Sequence, residues 1–250
     1  MKPLALLAAL IVLGAASGIM FFAIGRAPAI TVTEAALHPM GNGHALTLKI
    51  DNPGPPDRLL SVASSEGATV ALTGAGAATD GLPIPGGSAP SLAMDGAHAM
   101  VMGLAGTADE GRLVPVTLTF ADGGQVGTRA RITGGTPMDY SAVFQVPADE
   151  PQPALALLAN ATGDGWTLTL QTTGFTFSRD AVDGPHQPGT GHGHVYLDGL
   201  KLARVYGDTY QVGPLPPGPH EFRVTLNTND HRAYAVGGRP VTATVRVVAD

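Results

Sequence analysis

The sequence predicts an all-β chain, two antiparallel β-sandwiches behind an amino-terminal hydrophobic helix. Three observations predict it. Gly (34) and Pro (21) are abundant while 44% of the 250 residues are apolar, a composition that suits short strands joined by tight turns rather than disorder. Short runs throughout the chain alternate apolar and polar side chains, the period of a half-buried strand. After the amino terminus no segment carries a sustained helical period, and the length suffices for two separate cores.

The amino terminus, residues 1–29, is a membrane anchor or a signal peptide. Lys2 precedes an apolar run over residues 4–24, closed by Arg26, which is long enough to span a bilayer and longer than the apolar part of an ordinary signal peptide. A single-pass anchor is therefore the expectation. Ala27-Pro28-Ala29 keeps cleavage after Ala29 open as the alternative. Either way the remainder is exported.

Residues 30–135 form the first predicted sandwich. Its strands are expected at 30–37, 44–50, 59–63, 68–72, 97–104, 114–120 and 125–132, with Asp122-Gly123-Gly124 as the hairpin between the last two. Asp51-Asn52-Pro53-Gly54-Pro55-Pro56 is a turn cluster, and residues 74–91 read as a Gly/Pro/Ala-rich loop. His38-Pro39-Met40 and His44 fall in turn-like sequence and read as solvated loop residues. Residues 136–153 are the linker, Pro-spaced and acidic from Val146 to Pro153, and residues 134–144 are expected to pack on the first sandwich. The second sandwich, residues 154–250, has strands expected at 154–159, 166–172, 192–197, 200–206, 221–226 and 241–247, with Trp166 anchoring its core.

Composition excludes several functions. The formal charge is −6 with no Lys/Arg cluster, which argues against a nucleic-acid partner. With no cysteine, disulfides, thiolate metal sites and thiol catalysis are all absent, so any metal must use His, Met, carboxylate or backbone oxygen. No nucleophile elbow, phosphate loop or His-Glu-x-x-His motif occurs, and the chain is read as a binding protein, not an enzyme.

The most informative stretch is Gly191-His192-Gly193-His194-Val195-Tyr196-Leu197-Asp198-Gly199. Read as a strand, it puts His192, His194 and Tyr196 on one face and Val195 and Leu197 on the other, the two imidazoles roughly 7 Å apart at Cα. Asp198-Gly199 is then a tight turn, since both residue types tolerate positive φ. Asn229-Asp230-His231 offers a third imidazole, and His192, His194 and His231 together would leave a fourth position open on Cu(II), or on zinc as the lesser alternative. His186 is close enough in sequence to join, and Asp198 or Asp230 are candidates to fix the imidazole tautomers. The alternative for each residue alone is structural: a loop histidine beside glycines, a core histidine bonded to a carbonyl, a turn residue. His220 after Pro219 reads as structural or solvated.

In the first half, Asp51-Asn52-Pro53-Gly54, Asp57-Arg58-Leu59-Leu60-Ser61-Val62, Gly81-Leu82-Pro83-Ile84-Pro85-Gly86-Gly87, His98-Ala99-Met100-Val101-Met102-Gly103-Leu104 and Val116-Thr117-Leu118-Thr119-Phe120 follow one another as in the PCu(A)C periplasmic copper chaperones. The resemblance covers about residues 30–132. It implies a cupredoxin-like sandwich, Cu(I) held by an early His and Met and a late His-x-Met, and copper delivery to cytochrome oxidase with its assembly proteins as partners. The late pair carries over as His98 and Met100, but Thr73 stands where the family has its first His, and the following Met has no counterpart. Met94 and Met102 are the substitutes at hand, since thioethers suit Cu(I). In the second half, the Gly191-to-Gly199 stretch, Leu215-Pro216-Pro217-Gly218-Pro219-His220 and Asn229-Asp230-His231-Arg232-Ala233-Tyr234, within about residues 155–248, resemble His-rich immunoglobulin-like domains of exported bacterial proteins. Together these features point to copper binding on the periplasmic side of a bacterial inner membrane, as a chaperone or carrier. The alternative is a non-catalytic interaction module with a degenerate metal site, in envelope or oxidase assembly.

Overall fold

A computed structural model describes residues 29–66, 68–74, 80–134 and 142–250. The apolar run at 4–24 lies outside the described residues. Among the described residues every regular element is a strand, and no helix is long and apolar enough to cross a membrane.

The first unit contains β1 (Thr31–Met40), β2 (Gly43–Asp51), β3 (Asp57–Ala63), β4 (Thr69–Thr73), β5 (Leu82–Ile84), β6 (Ser91–Leu92), β7 (His98–Met102), β8 (Leu113–Phe120) and β9 (Gln125–Ile132). Pairing runs β4–β7–β2–β1 on one side and β5–β3–β8–β9 on the other. A short parallel pairing of β1 with β9, Ala36 opposite Arg131, joins the two sides. Alternation along β2 and β8 sends Leu46, Leu48, Ile50, Val114, Val116, Leu118 and Phe120 into one core. The turn motifs are structural. Asn52 donates to the carbonyls of Pro55 and Pro85 and accepts from the Gly54 amide, while the buried Asp57 carboxylate accepts the amides of Asp122 and Gly123 and so closes the β8–β9 hairpin.

Two expectations fail here. The loop expected over residues 74–91 contains β5, whose Leu82, Pro83 and Ile84 are all buried against β3, a strand too short for any periodic signal. His38, Pro39 and Met40 belong to β1 and His44 to β2, because Gly41 takes positive φ and the chain turns after Met40, not before His38. His38 is held between Thr47 and Thr133 hydroxyls.

The second unit contains β10 (Val143–Gln145), β11 (Ala154–Thr162), β12 (Gly165–Thr173), β13 (Thr176–Phe177), β14 (Thr190–Leu197), β15 (Leu200–Val205), β16 (Thr209–Val212), β17 (Gly218–Asn227), β18 (Ala233–Val236), β19 (Arg239–Pro240) and β20 (Thr242–Ala249). One sheet is β15–β14–β17–β20 and the facing one β11–β12–β16. Leu168, Leu170, Val195, Leu197, Phe222 and Val224 fill the space between them, and Trp166 lies half-buried at the edge of that core. Residues 143–145 do not pack on the first unit as expected: β10 pairs in parallel with β18, so Phe144 joins the second unit beside Tyr234.

The two units meet through the β14–β15 hairpin. Asp198 and Gly199 both take positive φ, as the sequence requires of a tight turn, and Leu200 behind them is fully buried in the core of the first unit. Backbone bonds lie around it. The Ala97 amide donates to the Gly199 carbonyl and the Gly86 amide to that of Pro214, each within 2.9 Å, and Ser91 bridges to Lys201. Arg58 adds a bond to the Pro217 carbonyl at 2.8 Å.

Because Leu200 completes a core it does not belong to by sequence, Leu200→Ala is expected to destabilise the first unit, by about 2–5 kcal/mol. Urea unfolding with native-state amide exchange checks this: exchange at Leu118 and Val101 should accelerate in the variant, and unchanged exchange there would contradict the shared core.

Candidate metal centre

β14 is buried on both faces, and the reason begins with its glycines. A Cβ on Gly191 would lie 1.9 Å from the Asn227 carbonyl oxygen, and one on Gly193 would meet Val205 and Val224. The glycines thus let β14 press against its neighbours, and the alternate positions carry His192, His194 and Tyr196 to the opposite face. There they stand beside Arg204 and Lys201 of β15 and Asn227, Thr225 and Arg223 of β17. The turn between β17 and β18 folds over this face and delivers His231, whose φ of 69° is left-handed.

His192, His194 and His231 converge. One ring nitrogen of each lies within 4.8 Å of the others, and they are the cluster of this kind among the described residues. His192 Nε2 is 3.0 Å from His194 Nε2, and the His231 ring centroid is 4.9 Å from that of His192. Only a proton or an ion can sit between two such nitrogens, which are otherwise mutually repelling lone pairs.

Carboxylates set the tautomers, and they are not the ones the sequence suggests. His194 Nδ1 lies 2.7 Å from Asp95 Oδ2, an atom of the first unit that also accepts from Lys201 Nζ at 2.6 Å and Tyr196 Oη at 2.9 Å. With Nδ1–H donated to Asp95, His194 Nε2 presents its lone pair inward. His231 Nε2 donates in the same way to Asp183, leaving Nδ1 as its lone pair. Asp198 instead binds His220 Nδ1 and the Glu221 amide, and Asp230 pairs with Arg232 and Thr228, so neither reaches the three imidazoles. His220 is thereby a structural residue, also bonded to the Pro216 carbonyl.

Burial keeps the strand histidines neutral. Desolvation, with repulsion from His194 and His231, lowers the pKa of His192 from 6.5 to about 3. Desolvation lowers that of His194 to about 4 in spite of the opposing pull of Asp95. Burial alone would raise the Asp95 carboxyl, but its bond to His194 and the charge of Lys201 outweigh this and hold it well below the usual carboxylate range. Buried His192 Nδ1 and His231 Nδ1 have no hydrogen-bond partner among the described residues. Three converging imidazoles, the two on the strand neutral and His194 and His231 backed by carboxylates, suit a borderline divalent cation that would take the place of the proton shared between His192 and His194. A cavity of about 270 Å³ opens beside His194 and His231, lined also by Arg204, Arg223 and Thr242, and gives the group access to solvent.

The other candidates lie elsewhere. His186 does not join: its ring packs on Phe144 and Tyr234, and its Nε2 faces Glu150. His98 and Met100 share the outward face of β7, half-exposed, while Ala99 and Val101 point into the core. Thr73 is directly opposite His98 and Ala71 opposite Met100, so the neighbouring strand offers them no ligand atom of the soft kind. His98 Nδ1 is tied to the Gly96 carbonyl at 3.0 Å. Met102 lies exposed over Gly43, and Met94 lines a neighbouring cleft with Glu34 and Lys49 that shares Asp95, Lys201 and Arg204 with the cavity at His194. Asp95 and Asp183 were the residues sequence reading missed. Asp95 sits three positions before His98 in a loop of the other unit, and no local pattern links it to β14.

Residues 26–132 match the family model described as "Putative lipoprotein LpqE-like", over the stretch that carries the PCu(A)C-like motifs. The copper-bound PCuAC domain from PmoF2 is similar at 22% identity and a TM-score of 0.38, covering 44% of this chain and 97% of that one. The apo PCuAC domain from PmoF1 gives 20%, 0.38, 44% and 98% in the same terms. The fibronectin(III)-like modules of Clostridium thermocellum CbhA cover 88% of this chain and 94% of their own at 13% identity and a TM-score of 0.26. No curated protein matches the chain.

The depressed pKa values fix a pH dependence. The unfolded chain takes up protons at these histidines near pH 6.5, the folded chain only near 4 and 3, so the unfolded state binds more protons between those values and stability falls as pH falls through the window. The expected slope is up to about 1.4 kcal/mol per pH unit for each group. Urea midpoints measured in chelator from pH 7 to 4.5 should fall more steeply for the wild type than for His192→Gln/His194→Gln; equal slopes would contradict the buried neutral pair.

Proposed function

With the match of residues 26–132 to an LpqE-like model as premise, we propose that this chain is a copper-binding protein of the cell envelope, a chaperone or carrier whose ion is held by His192, His194 and His231. The observation that carries the reading is the convergence of three imidazoles, two of them buried and neutral on one strand, with His192 Nδ1 and His231 Nδ1 left without a hydrogen-bond partner among the described residues. Packing alone gives no reason to desolvate three such groups together. Three imidazoles favour Cu(II), with Zn(II) as the competing ion. The preference for copper rests on the PCu(A)C-like resemblance of the first unit, and an export role on the lipoprotein description of the matched model. A tether through residues 4–24 and delivery to cytochrome oxidase belong to the same proposal. Nothing in the donor set calls for turnover, and the chain is read as a carrier, not an enzyme.

A second reading concerns the first unit alone. Thr73 opposite His98 and Ala71 opposite Met100 favour a unit that serves as a protein-interaction module and holds Cu(I) weakly or not at all. In that reading His98, Met100, Met94 and Met102 are surface residues.

Metal analysis of the purified full chain after exposure to copper and zinc tests both. The wild type is expected to retain copper, His192→Ala/His194→Ala to lose about one equivalent, and His98→Ala/Met100→Ala to keep its Cu(II). Copper content unchanged in the strand variant would overturn the proposal. Loss of a separate Cu(I) equivalent in the His98/Met100 variant would restore a metal role to the first unit.

A further inference from the structure

The loop between β6 and β7 belongs to the first unit but closes over the histidines of the second. It is tightly built: the Ala93 amide donates to the Ala97 carbonyl, the Gly96 amide to that of Ala93, and the Ala97 amide to Gly199 across the boundary. Gly96 has no room for a side chain, since a Cβ there would sit 2.7 Å from the Gly199 carbonyl and 3.2 Å from the Tyr196 ring. On one side of this turn Asp95 reaches His194, Tyr196 and Lys201; on the other, the Gly96 carbonyl bonds His98.

We propose that Asp95 is an interdomain positioning residue that links occupancy of the three-imidazole site in the second unit to the docking of the 93–98 loop of the first. The proposal rests on the reading of His192, His194 and His231 as a metal site. An ion on His194 Nε2 draws electron density out of the ring and makes its Nδ1–H a stronger donor to Asp95. Whatever binding gains from Asp95, loop docking gains from the ion, because linkage between two equilibria is reciprocal. Lys201 competes for the same carboxylate oxygen, so its charge weakens the effect of Asp95 on the ion. The segment that stiffens ends at His98, one of the candidate ligands of the first unit. A cation in one unit is therefore registered at the half-exposed His-x-Met pair of the other.

The experiment uses the full chain and Zn(II), which is redox-silent, with Cu(II) as a second probe. Affinities come from chelator competition, and amide exchange is followed at Ala97 and His98 with and without ion. In the wild type, ion should slow exchange at these amides. Asp95→Asn should bind about 10–100-fold more weakly and lose that protection. Lys201→Met separates positioning from mere structure. The charge of Lys201 also acts on His192 and His194 directly, so Lys201→Met is read in two backgrounds: if Lys201 acts through Asp95, the variant tightens binding more in the wild type than in Asp95→Asn, and equal tightening in both marks direct repulsion alone and counts against the coupling. Thermal melting of each variant establishes that it is folded. Binding by the wild type without slowed exchange at 97–98, or an equal effect of Lys201→Met in both backgrounds, overturns the coupling and leaves the metal site standing. Failure of the wild type to bind either ion overturns the site and the coupling with it.

Discussion

Leu200 is buried in a core that its own sheet does not build, and most of what distinguishes this molecule depends on that insertion. An apolar side chain at the tip of a hairpin would cost free energy in water; buried in the core of the first unit it contributes instead, on the order of 1.5–3 kcal/mol. The insertion fixes the hairpin at the boundary of the two units and brings β15 within pairing distance of β6. The 93–97 loop is then in contact with β14, where its carboxylate meets an imidazole that would otherwise face solvent or another lone pair.

The three-imidazole cluster proposed to hold the ion is accordingly a composite. Strand β14 supplies two imidazoles at fixed spacing, the β17–β18 turn supplies the third, and the first unit supplies the charge that orients one of them. Burying imidazoles without partners is costly, and the carboxylates of Asp95 and Asp183 offset this at two of the three. Lys201 offsets the burial of Asp95 in turn, so the polar groups on this face form one connected network.

Much of this was legible in the chain. Alternation gave β2, β7, β8 and β9 close to their bounds, because each has one core face and one solvent face, and Asp198-Gly199 gave its turn, because only a few residue types accept that backbone. The His192/His194 pair stood out because two polar rings on one face of an otherwise apolar strand have few structural uses. What was not legible depends on tertiary contact. β5 and β10 are three residues each and leave no period to read. Asp95 beside Gly96 and Asp183 carry no periodic or motif signal that links them to His194 and His231; only the fold sets them there. Asp198 and Asp230, nearest in sequence, were committed to His220 and Arg232 instead. The damaged half of the family pattern was legible too: Thr73 lies across from His98, where the resemblance leads one to look for a ligand.

The third imidazole is held differently from the other two. His231 and Asp183 both occupy left-handed backbone, at φ of 69° and 64°, a conformation that costs a non-glycine residue about 1 kcal/mol or more. The bond between them spans two loops and ends on a largely exposed carboxylate, while the Asp183 amide donates to Asn229 in the same turn. β14 is thus the fixed jaw of a vice and the 228–232 turn the movable one, cocked against its own backbone. Relaxing either residue toward ordinary backbone would return part of the energy spent in breaking that bond, which makes the His231 side the less costly one to open.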